Sequence, residues 1–223
     1  MSTLIRSVLD DKLGLLNKKL LQLSSMVDTA LENSMTALYD RNPELATEVI
    51  SGDQVINDVR YEIEDDALSI LATQQPMAGD LRKVVAAIHI AVELERIGDH
   101  ASGIASLVAR MADEEDIDSL HKLPKMAARA RQMVSTSVKA YVEHNESLAY
   151  SMIAKDDKID RQYRQLFRET LIEMRDDDYI RRATYLLWVG HDLERIGDRA
   201  TNIAERVIFM VSGNHIEIAS DMD

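Results

Sequence analysis

The chain is predicted to be all-α, built as two tandem repeats that each fold into a three-helix bundle, with six long antiparallel helices in all. Three observations carry this prediction. The string Leu94-Glu95-Arg96-Ile97-Gly98-Asp99 recurs letter for letter as Leu193-Glu194-Arg195-Ile196-Gly197-Asp198, which marks an internal duplication. Apolar residues recur at spacings of three and four, the pattern of one buried helical face: Ile90, Leu94, Ile97, Ala101, Ile104 and Val108 in the first repeat; Leu187, Leu193, Ile196, Ala200, Ile203 and Val207 in the second come close to the same pattern, with one gap of six. Turn and strand formers are scarce, with 8 Gly, 3 Pro and 4% aromatics in 223 residues.

The punctuation divides the chain into helices near 4–40, 43–74, 77–112, 119–143, 146–175 and 178–212. The second helix opens at Asn42-Pro43-Glu44, which reads as an N-cap, a proline at the first helical position and an acid in the first turn. Asn145-Glu146-Ser147 repeats that opening for the fifth helix, again followed by Leu-Ala. Gln75-Pro76 makes the corner between the second and third helices, because proline removes a donor and restricts the residue before it. Asp176-Asp177-Asp178 takes the equivalent corner in the second repeat, the charged stretch Asp113 to Asp118 separates the halves, and Gly213-Asn214 stops the last helix. The expected units are therefore 1–112, 113–215 and a C-terminal tail, 216–223. Helices of this length run to roughly 45 Å, and short connections make neighbours antiparallel. Gly98 and Gly197 interrupt helices at a cost of about 1 kcal/mol relative to Ala, so each is expected where a neighbouring helix comes close.

Composition narrows the function. With no Cys there is neither a disulfide framework nor a thiolate metal site. The net charge of −13 argues against broad nucleic-acid binding and for cations or basic protein surfaces as partners. No apolar run approaches the roughly 20 residues of a membrane span, and the N-terminus lacks the apolar core of a signal peptide. There is no P-loop, no glycine-rich dinucleotide turn and no recurring Ser/His/Asp arrangement. None of the six His sits in the Glu-x-x-His pattern of buried di-iron bundles, and His100 becomes Arg199 in the second repeat. The 11 Met and the lone Trp188 read as core filling.

What remains is acidic and duplicated. Glu95 and Asp99 are four apart and share one helix face, as do Glu194 and Asp198. Like charges at this spacing repel unless a cation lies between them. The preceding helix of each repeat carries a second pair of oxygen donors, Asp53 with Asn57 and Asp156 with Asp160. Positions 53 and 99, and 57 and 95, are equidistant from residue 76; positions 156 and 198, and 160 and 194, are equidistant from residue 177. In an antiparallel hairpin equidistant residues lie at one level. The arithmetic sets that level but not the rotation of each helix about its axis. Two quartets follow: Asp53, Asn57, Glu95 and Asp99, and Asp156, Asp160, Glu194 and Asp198. Such oxygen sets suit iron, manganese, magnesium, calcium or zinc. The second quartet, with four carboxylates, is expected to bind divalent metal more tightly. A competing reading has Arg96 and Arg195 neutralise the acids in a surface ion-pair network.

The twin Leu-Glu-Arg-Ile-Gly-Asp motifs, Gln75-Pro76 followed by Asp80-Leu81-Arg82, and the ending Asn202-Ile203-Ala204-Glu205 resemble the PhoU family of phosphate-uptake regulators over nearly the whole length. The resemblance implies the same pair of three-helix bundles. It also implies that Glu95–Asp99, Glu194–Asp198 and Asp156–Asp160 are E(D)xxxD motifs able to hold multinuclear iron or zinc clusters at the surface. Asp53–Asn57 departs from the carboxylate pattern. The resemblance further implies a cytoplasmic, non-enzymatic and often dimeric regulator. Such a protein couples the phosphate ABC transporter, through its ATPase subunit, to a membrane sensor histidine kinase and restrains phosphate uptake and the starvation response. Two other readings stand beside it: a metal-dependent phosphohydrolase, and a structural helical scaffold with no metal role.

Overall fold

The computed structural model describes residues 2–111, 120, 122–154, 157–175 and 179–216. The charged stretch between the repeats, the Asp176-Asp177-Asp178 corner, Asp156 and the end of the predicted tail lie outside the described residues. The chain forms α1 (Ser2–Asp40), α2 (Pro43–Gln74), α3 (Gly79–Arg110), α4 (Leu123–Val142), α5 (Glu146–Ile153), α6 (Asp157–Glu173) and α7 (Ile180–Ser212), and no strand occurs among the described residues.

The caps form where the sequence places them. The Asn42 side chain accepts the Leu45 N–H at 3.0 Å and the Asn145 side chain accepts the Leu148 N–H at 2.9 Å. The two openings match one residue earlier as well. Arg41 and His144 both hold positive φ, and Asn42 N–H and Asn145 N–H reach back to Ala37 O and Ala140 O, each at 2.9 Å. Each preceding helix therefore ends in a left-handed residue followed by a six-to-one bond, and the next begins at once on an Asn cap. Gly213, at φ +79°, ends α7.

Three boundaries differ from expectation. The fourth helix starts at Leu123 rather than near 119, with Pro124 in its first turn. The third helix starts at Gly79, because Gln75 and Ala78 take positive φ around Pro76 and no helical turn can include them. The predicted 146–175 helix is two helices, α5 and α6: Ala154 ends α5 in a turn, and α6 begins with acids in its first turn, which complement the positive end of a helix dipole.

Packing follows the duplication. Helices α1, α2 and α3 pack together, α7 packs on α4, α5 and α6, and the repeats join mainly through α3 against α7 and more lightly through α1 against α4. The predicted stripes of α3 and α7 are all buried. Ala86, Ala87, Ala91, Gly98, Ala101 and Ala105 keep α3 slim, which lets α1, α2 and α7 all reach it. A Cβ on Gly98 would lie 3.1 Å from an Ile56 methyl of α2, so the close approach expected there is real. Gly197 is likewise buried. A second glycine contact was not anticipated: a Cβ on Gly190 would overlap Leu166 of α6.

Candidate functional site

Asp53 and Asn57 lie one turn apart on α2, and Glu95 and Asp99 one turn apart on α3. The rotation that equidistance left open is decided by the core. Ile56 of α2 packs onto Gly98 of α3, and this brings Asp53 Oδ1 to 3.7 Å from the point where a Gly98 Cβ would sit. The carboxyl of Asp53 is raised above the usual carboxylate range, first by burial and then by the charge of Asp99. That of Glu95 is raised by burial and by Asp99, with a smaller push from Asp53. Three acids of the first quartet thus share one field at the α2–α3 groove. Asn57 joins them by donating its side-chain N–H to Asp53 Oδ2 at 3.4 Å.

In the second repeat, on α6 and α7, burial raises Asp160, the counterpart of Asn57, and the charge of Asp198 raises it further, so these two lie near each other. Glu194 acts on Tyr163 of α6, whose phenol is raised by burial and then by that carboxylate. Asp156 lies outside the described residues, so three of the second quartet are placed.

Asp53 Oδ1 and Asp160 Oδ1 are buried and accept no hydrogen bond among the described residues. A buried carboxylate oxygen without a donor is costly, and a neighbouring carboxylate adds to the cost. A cation among these oxygens would remove both penalties. The residues therefore fit a hard or borderline metal ion, to be held by Asp53, Asn57, Glu95 and Asp99 in one repeat and by Asp160, Glu194 and Asp198, with Asp156 by sequence, in the other. Among the described residues no three acidic or imidazole side chains already close around a common point. Carboxylates with nothing between them repel, and Asp99 is turned to solvent.

The arginines of the competing reading divide. Arg195 pairs with Asp198 at 3.0 Å, whereas Arg96 lies 3.8 Å from Glu93 and leaves Asp99 to solvent. The repeats therefore share the acids but not one scheme of neutralisation.

Sequence reasoning passed over two sets of residues. Arg60 and Tyr163 occupy equivalent positions beside the two motif glutamates, with Arg60 4.0 Å from Glu95 and stacked on Tyr61 at 3.7 Å. The other set crosses the seam between repeats. His100 Nδ1 of α3 meets Asp192 Oδ1 of α7 at 3.0 Å; in reverse, Asn202 Nδ2 and Arg199 of α7 meet Glu93 Oε2 of α3 at 3.2 and 3.5 Å. His100 matches Arg199 and Glu93 matches Asp192 in the duplication, so a base and an acid were kept at each place while their identities changed. That was the available signal, and the change from His to Arg concealed it.

The family model for the PhoU domain matches residues 20–108 and again 123–207. The chain is 34% identical to the phosphate-specific transport system accessory protein PhoU homolog of Clostridium acetobutylicum, over 96% of this chain and 98% of that one. It is 33% identical to the protein of that name from Pseudomonas aeruginosa, over 88% of this chain and 82% of that one. Among solved structures, it resembles the crystal structure of PhoU from Pseudomonas aeruginosa, with TM-score 0.87 and 31% identity over 92% of this chain and 99% of that chain. It also resembles that of the phosphate transport system regulatory protein PhoU from Streptococcus pneumoniae, with TM-score 0.88 and 30% identity over 94% and 100%.

Proposed function

This chain belongs to the PhoU family, and from that membership we propose that it is a non-enzymatic, cytoplasmic regulator of phosphate uptake. In this reading it associates with the ATPase subunit of the phosphate ABC transporter and with a sensor histidine kinase, restrains uptake and starvation signalling when phosphate is ample, and acts as a homodimer. The observation that carries the reading is the match of both repeats, along nearly the whole chain, to relatives named for the phosphate transport system. No described helix is long and apolar enough to cross a membrane, which suits an accessory protein that meets a transporter from outside the bilayer. Pull-down with the cognate ATPase subunit tests it: the complex is expected, and its absence with and without metal and phosphate would overturn the reading.

The proposal extends to iron or zinc at the two quartets, supported by the orphaned oxygens of Asp53 and Asp160. A bound cation would supply positive charge to the acidic grooves and coordination positions open to an anion such as phosphate. Asp160, Glu194 and Asp198 would hold it more tightly than the first set, where Asn57 replaces a carboxylate and the Arg60 guanidinium already lies near Glu95. Metal content of untagged protein beside the E194A/D198A variant is the direct measurement. Metal retained by wild type and lost from the variant supports the site, and none in either after loading refutes it. Equal phosphate affinity in loaded and metal-free protein would exclude sensing through the metal.

A further inference from the structure

The duplication keeps its charges on α3 and α7 but reverses them on the outer faces of α2 and α6. In the register that aligns Ile56 with Ile159 and Ile63 with Leu166, all buried, Asp58 corresponds to Arg161, Tyr61 to Arg164, Asp65 to Arg168 and Leu68 to Leu171. All eight are exposed and lie opposite the buried stripe of their helix. Leu68 and Leu171 are 59% and 49% exposed, and Ile172 beside the latter is 63% exposed. Asp65 and Arg168 have no ion-pair partner among the described residues. One helix thus presents an acidic face with an aromatic and a leucine. Its structural twin presents a basic face with a leucine at the same place, in a chain whose net charge is −13.

We propose that the outer face of α6 docks on the outer face of α2 of a second copy of this chain. The outer face of α2 complements the arginines of α6 in charge and spacing, and it belongs to this protein. With the helices aligned in one direction, Asp58 meets Arg161, Asp65 meets Arg168, Tyr61 lies against the Arg164 guanidinium, and the two leucines cover each other. A 17-residue helix is about 25 Å long, so the contact is of modest area and its strength depends on salt. Among the described residues, α2 packs inward on α1 and α3, and α6 on α7 and α4, with these faces turned away. The inference rests on the homodimer proposed above and names its surface, the contact being made twice in the dimer, α6 of each copy on α2 of the other.

Sedimentation velocity of the full chain, metal-free and at low salt, over a range of concentrations, tests it with two charge-reversal variants, D58K/D65K and R161E/R168E. Each alone is expected to weaken self-association at least about tenfold, because like charges then face each other across the contact. An equimolar mixture is expected to regain wild-type association, because each reversed face then finds its complement. Circular dichroism confirms that both variants stay helical. Association of both variants at wild-type strength would overturn the surface while leaving the dimer standing. Loss in R161E/R168E alone would overturn α2 as the occupant. Pelleting of wild type, but not R161E/R168E, with phosphatidylglycerol vesicles would make α6 a membrane-facing surface instead. A wild-type chain that stays monomeric throughout would overturn both the surface and the dimer.

Discussion

Asp53, Glu95 and Asp160 hold their protons more tightly in the folded chain than in the unfolded one, chiefly because burial disfavours their charged forms. A carboxyl raised by folding binds more protons in the native state, so without metal the protein should gain stability as pH falls from neutral through those raised values toward the ordinary carboxylate range, and lose it as pH rises. Asp28 runs the other way. Its bidentate contact with Arg131, at 2.7 and 2.8 Å, lowers its carboxyl, and the stability it adds is lost on further acidification. Thermal melts of metal-free protein should therefore show a maximum on the mildly acidic side of neutral. Asp53→Asn and Asp160→Asn should raise the melting temperature of metal-free protein near neutral pH and shrink the rise on adding metal. A fall in both variants without metal would show that the orphaned oxygens are not a source of strain.

At the scale of the helix, caps and glycine contacts set the hairpins. Asn42→Ala and Asn145→Ala should each cost about 1 kcal/mol, read from denaturant melts, because each leaves an N–H of the first turn without its acceptor. Gly98 and Gly190 separate more sharply. At Gly98 the obstacles are the Cγ2 and Cδ1 methyls of Ile56, 3.1 and 3.2 Å away, which must shift by only a few tenths of an ångström, while an Ala would also remove the entropic cost of glycine. At Gly190 the added carbon falls on Leu166, with Tyr163 also in contact. Gly190→Ala should therefore destabilise by roughly 1–3 kcal/mol and Gly98→Ala by clearly less. Equal losses would mean that the α6–α7 contact yields as readily as the α2–α3 contact.

In the whole molecule, the repeats are joined by reciprocal polar pairs laid over an apolar seam. Glu93 takes Asn202 and Arg199 from α7, and Asp192 takes His100 from α3. Further ties run from Arg82 to Met210 O at 3.1 Å and from Tyr141 to Asn17 at 2.6 Å. Each base of the crossed pairs directly follows the last acid of one quartet, and each acid lies two residues before the glutamate of the other. Glu93→Ala should cost about 1–3 kcal/mol, because it strips Arg199 and Asn202 of an acceptor in a half-buried seam. A single unfolding transition with a lower midpoint is expected. Two separate transitions would show that the repeats had become independent.

The sequence by itself determined the helical class, the twofold repeat, the Asn caps and the buried stripes. The repeat follows from the recurrence of one string about a hundred residues on, and the rest from residue type and spacings of three and four, interactions that reach no further than a helical turn or two. Only the tertiary structure decided which way each helix is turned. Ile56 seated on Gly98 aims Asp53 at the α3 acids, and Leu166 seated on Gly190 closes α6 onto α7. Packing also set Arg60 beside Glu95 and paired His100 with Asp192. Those partners are far apart in the chain or changed identity between repeats, and no local periodicity encodes the rotation of one helix against another, which is fixed by how side chains from distant segments fill a shared core.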